Sequence, residues 1–92
     1  MPAVPTSSET LVELPSSVDL HARPAADFVR AALGFESRLT VSSNGRDADA
    51  KSLLAVLALG AKRGTTLRLS AEGDDAGAAL EALVGCISNF RE

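Results

Sequence analysis

The dipeptide Asn44-Gly45 lies between two extended runs, "SRLTVSS" and "RDADA", and constrains the fold more than any other feature of the chain. Asn-Gly adopts the positive-φ turn whose twist matches that of its flanking strands, so the two runs are expected as antiparallel neighbours joined by a tight hairpin.

The remaining elements are read around that hairpin. In "ETLVELPSS", Leu11 and, less cleanly, Glu13 alternate with Val12 and Leu14 until Pro15 closes a first strand. "ARPAADFVRAAL" places Ala22, Ala25, Ala26, Val29, Ala32 and Leu33 on one helical face. Pro24 falls in the first turn, where its missing N–H costs nothing, and Gly34 suits the end, so a helix is expected over about 22–33. Ser52 precedes "LLAVLALG" and is placed to cap a short second helix stopped by Gly60. "TTLRLSAE" alternates Leu67 and Leu69 with polar neighbours and reads as a fourth strand. A third helix opens at Asp74 or Asp75 and carries Ala76, Ala79, Leu80, Leu83, Val84, Ile87 and Phe90 at spacings of three and four. Cys86 and Phe90 are assigned to the core, and Asn44 and Gly45 to the turn alone.

This order predicts an α+β open-faced β-sandwich, a four-stranded antiparallel sheet with three helices packed on one face. A chain of 92 residues supports one such domain. It is expected over 9–92, with 1–8 as a flexible tail.

Composition narrows the function. Twelve acidic and nine basic side chains give a net charge of −3, and no Lys/Arg run is interleaved with aromatics, which argues against nucleic acid as a partner. A single cysteine and a single histidine leave no disulfide and no Cys/His zinc cluster, so no metal and no cofactor is expected, and a reducing cytoplasm fits. The apolar stretch at 53–61 is about half of the roughly 20 residues that cross a bilayer, and "MPAVPTSS" lacks the features of a secretory signal.

The one histidine is the candidate for chemistry. A lone histidine is commonly a surface or satisfied polar group, but His21 stands where a helix begins, beside amide N–H groups that lack carbonyl partners. Partial positive charge there favours a nucleophilic ring nitrogen and any anion that becomes attached to it. Arg23 adds a permanent cation whose fork fits phosphate oxygens, and Pro24 fixes the backbone of the turn. A serine hydrolase would need a serine within reach, an oxyanion hole and a substrate pocket, and one histidine among scattered carboxylates defines no transition-metal site.

"LHARPAADFV" at 20–29 resembles the active-site segment of the HPr family, the histidine-containing phosphocarriers of the bacterial phosphoenolpyruvate-dependent sugar phosphotransferase system. "KSLLAVLALG" at 51–60 resembles the family's second signature, its serine lying 31 residues after the histidine as the family pattern expects. The resemblance covers about residues 9–90. It implies a carrier rather than an enzyme: His21 accepts a phosphoryl group on Nδ1 from phospho-Enzyme I and passes it to a sugar-specific EIIA domain, with Arg23 stabilising the phosphate. Ser52 matches the serine that an HPr kinase/phosphorylase modifies in some bacteria. Leu53, Leu54 and Leu57 match the apolar positions through which the family docks its partners, and a monomer is expected.

Apolar side chains at 53, 54, 56, 57 and 59 surround most of a helix, so one side must face water or a partner. Where the family commonly has glycine two residues before the histidine, this chain has Asp19, whose charge would oppose a nearby phosphoryl group. The alternative is a regulatory or non-sugar HPr-like protein, of a nitrogen-linked relay or a dihydroxyacetone kinase branch, that acts mainly by docking.

Overall fold

The computed structural model describes residues 7–90. The hairpin forms as expected: Asn44 and Gly45 take φ of 51° and 80°, joining β2 (Arg38–Ser43) to β3 (Arg46–Asp49) with Val41 opposite Ala48. β1 (Ser7–Glu13) and β4 (Thr66–Glu72) complete an antiparallel sheet in the order β1-β4-β2-β3. Val12 pairs with Leu67, and Val41 pairs with Leu69. This register puts the apolar residues of four strands on one face, as a period of two requires, with exposed Leu11 of β1 the exception on the open face.

Three helices, α1 (Ala22–Leu33), α2 (Leu53–Leu59) and α3 (Ala76–Ser88), cover that face. α1 packs on α3 and α2, α3 lies against β1 and β4, and α2 sits over β3 and β2. Phe28, Leu39, Val41, Val56, Leu67, Leu69, Leu83 and Ile87 form the fully buried centre. The open-faced sandwich read from the sequence is the observed architecture.

The buried stripe of α1 differs from the expected one. Pro24, Ala25, Phe28, Val29 and Ala32 are buried, whereas Ala22 and Leu33 are exposed. At about 100° per residue, Phe28 lies on the opposite flank of the stripe from Ala22, Ala26 and Leu33. Its larger apolar surface decides which flank turns inward.

The first strand begins at Ser7, two residues before the expected domain boundary, because Ser7 and Ser8 continue the ladder opposite Glu72 and Ala71. Residues 1–6 of the expected tail lie outside the described residues. Phe90 is buried as expected, while Cys86 is half-buried at the edge of the core.

Asp75 heads α3, yet its side chain caps a different part of the chain. It accepts from the amide N–H groups of Glu36 and Ser37, both at 2.9 Å, and from the Ser37 hydroxyl. Gly73 makes that junction possible. Its φ is 145°, and a Cβ there would stand 2.8 Å from Ser37 Cα.

Candidate functional site

His21 is the N-cap of α1, with φ −101° and ψ −165°, and its carbonyl accepts from the Ala25 amide at 2.8 Å. Val18 and Leu20 are buried on the approach to it, and the Leu20 amide donates to the Ala61 carbonyl at 2.9 Å. Alternating burial thus turns His21 outward. The imidazole makes no capping hydrogen bond with its helix and is exposed. It stands at the positive end of a twelve-residue helix, where first-turn N–H groups favour an attached anion.

Arg23 is exposed in the first turn, and Pro24 is buried behind it. Proline holds the turn while the cation projects from the same surface segment as the imidazole. The three residues singled out in sequence therefore share one turn, and the turn is built on a rigid helix.

Asp19 is the feature whose context sequence reasoning missed. Its carboxylate accepts from the Arg63 amide at 2.7 Å and faces the Arg63 Nε at 3.5 Å. The hydrogen bond from the Arg63 backbone, then the charges of Arg63 and Lys62, hold the Asp19 carboxyl below the usual carboxylate range against some desolvation. The negative charge expected to oppose a phosphoryl group is thus met by two cations. Arg63 lies 44 residues downstream, and no local spacing signals the pairing. Further bonds join the same loops: Leu14 N–H to Thr65 C=O at 2.9 Å, and Gly64 N–H to Leu14 C=O at 3.2 Å.

Ser52 caps α2 as read from the sequence, its hydroxyl accepting from the Ala55 amide at 3.2 Å. Beyond it the helix divides. Val56 and Leu59 are buried, Leu57 is half-buried, Leu53 is 40% exposed and Leu54 is 80% exposed. The Leu20–Ala61 bond places the end of this helix beside the histidine turn.

The one cysteine is a poor nucleophile. Burial, then the charge of Asp27, pushes the Cys86 thiol up, which keeps it protonated. Among the described residues there is no group of three His, Cys, Asp or Glu side chains that could hold a metal ion. No helix of the described residues is long and apolar enough to cross a membrane.

The family model described as "PTS HPr component phosphorylation site" matches residues 8–89. The chain is 47% identical over 82 residues to the phosphocarrier protein HPr of Vibrio cholerae, spanning 89% of this chain and 96% of that one. It is 49% identical over 71 residues to a multiphosphoryl transfer protein of the same organism, covering 74% of this chain and 18% of that longer protein. The crystal structure of HPr from Thermoanaerobacter tengcongensis superposes with a TM-score of 0.84 at 41% identity, over 88% of this chain and 91% of the other. With an exposed N-cap histidine, an arginine two residues on, and a serine-capped apolar helix on the fold these relatives share, the chain belongs to the HPr family of phosphocarriers of the phosphotransferase system.

Proposed function

We propose that His21 accepts a phosphoryl group from phospho-Enzyme I in the cytoplasm and delivers it to EIIA domains in carbohydrate uptake. The observation that supports this most is the imidazole itself, exposed at a helix N-cap and making no capping bond. The Nδ1 lone pair forms a bond to phosphorus as the bond between phosphorus and the donor breaks, the donor keeping that electron pair. Delivery is the same step with His21 as donor. Nothing in this exchange requires a pocket, because positioning and neutralisation of the phosphoryl oxygens carry most of phosphoryl transfer and a docked partner can supply part of both.

Arg23 pairs with the transferred oxygens, and Pro24 keeps the turn in shape. Leu53, Leu54 and Leu57 form the docking face, its two more exposed members directly following the Ser52 cap. A carrier must leave each partner after every transfer, and an apolar face of this small size suits a transient complex. Ser52 is the regulatory serine, since a phosphate there would have to be desolvated when a partner covers its leucine neighbours.

Incubation with phosphoenolpyruvate and Enzyme I tests the reading directly. The wild type should gain an acid-labile, base-stable phosphate that chases to an EIIA domain, and His21→Ala should gain none. A wild type that stays unlabelled would refute the carrier role.

A further inference from the structure

The segment that carries His21 is fastened on one side to the loop between α2 and β4. Leu20 is bonded to Ala61 and Asp19 to Arg63, while the Asp19 carbonyl accepts from the His21 amide at 2.9 Å. Asp19 and His21 are two residues apart, a backbone span of at most about 7 Å. That span is no longer than the Debye length of about 8 Å at physiological salt, so charges at Asp19 act on groups attached to His21.

Arg63 enters this neighbourhood in a particular way. Its backbone amide makes the short bond to Asp19, at 2.7 Å, whereas its guanidinium approaches the same carboxylate oxygen only at 3.5 Å and through Nε. A fully formed charge-assisted bond would be about 2.7–2.9 Å. The side chain is 62% exposed. Asp19 is therefore pinned by the main chain, and the guanidinium rests against it with much of its surface open to solvent.

We propose that Arg63 is a second phosphate-binding arginine, held beside the histidine turn by Asp19 and drawn onto the phosphoryl oxygens once His21 carries them. This rests on the carrier function proposed above and adds a residue to it. A phosphoryl group bears more charge than a carboxylate and offers three acceptor oxygens. It competes for the guanidinium, while Asp19 stays bound to the Arg63 amide and the two loops remain joined. Aspartate in place of the usual glycine then serves as a resting partner that keeps the arginine close.

Arg63→Gln separates the side chain from the main-chain bond, since the amide that holds Asp19 is retained. The variant should melt with the wild type, yet accept phosphate from phospho-Enzyme I with kcat reduced about fivefold, the size of one exposed charge contact. Arg63→Lys should recover part of the loss. In the wild type, phosphorylation of His21 should shift the Arg63 Nε–Hε resonance in a nitrogen-correlated NMR spectrum. A rise in KM with kcat unchanged would assign Arg63 to partner docking and overturn the proposal, as would an Arg63 resonance that does not move in a fully phosphorylated sample. Failure of the wild type to accept any phosphoryl group would overturn the carrier reading and this one with it, whereas normal acceptance with an unmoved Arg63 overturns this one alone.

Discussion

Asp75 and Ser37 are joined twice, through the serine hydroxyl and through its amide, across a sequence separation of 38 residues. The start of α3 is thereby tied to the start of β2. The Ser37 hydroxyl, then the Glu36 amide, favour the ionised carboxylate and hold the Asp75 carboxyl below its ordinary value of 3.8.

A carboxylate with a lowered folded-state pKa stabilises the fold fully above its unfolded pKa, and that stabilisation is lost as pH falls through the folded value. Asp75→Ala should therefore melt below the wild type at pH 7. The gap should narrow as the pH is taken down through and below 3.8, the ordinary value. Thermal melts of both proteins across that range check the sign, and a gap that widens in acid would contradict the assignment.

His21→Ala should abolish phosphoryl acceptance at almost no cost in stability. The exposed imidazole caps nothing, so the change should stay within about 0.5 kcal/mol, as for other surface substitutions, rather than the larger loss of a working cap. Urea unfolding of wild type and variant measures it.

Two residues of α2 should separate docking from folding. Leu54→Glu alters a side chain that is 80% exposed and should leave the melting temperature near wild type while slowing Enzyme I-dependent phosphorylation. Val56→Ala empties a fully buried position and should cost about 2 kcal/mol, with transfer kept as long as the protein is folded. If Leu54→Glu transfers at the wild-type rate, the docking face lies elsewhere.

Ser43 offers a gain. Its buried hydroxyl has no hydrogen-bond partner among the described residues, and a desolvated, unpaired hydroxyl costs about 1–3 kcal/mol. Ser43→Ala should leave stability unchanged or raise it, as read by chemical denaturation.

Much of this was legible in the sequence because the signals are local. Asn44-Gly45 specifies its hairpin, Ser52 its helix cap, and the period of two in "TTLRLSAE" its strand. The histidine turn was legible for the same reason, since His21, Arg23 and Pro24 stand within four residues. What could not be read depends on partners distant along the chain. Asp75 looks like the cap of its own helix until Ser37 is brought to it, and Asp19 looks like a lone negative charge until Arg63 arrives. The stripe on α1 failed differently. Alanines on either flank leave the periodicity nearly balanced, and only the volume of Phe28 settles which flank faces the sheet.

The pairing of β1 with β4 joins residues 7–13 to residues 66–72, and it sets how much of the chain must be made before the sheet can close. Domains fold as the chain emerges at about 5–20 residues per second, and contacts between distant segments form only after both have appeared. α1 can wind early. The turn that presents His21, though, is anchored by Ala61, Arg63 and Thr65 to the segment leading into β4. A nascent chain that already displays its histidine therefore lacks the bonds that hold the histidine turn until that segment has left the ribosome. Products truncated before Ala61 would carry the histidine without the bonds that hold its turn.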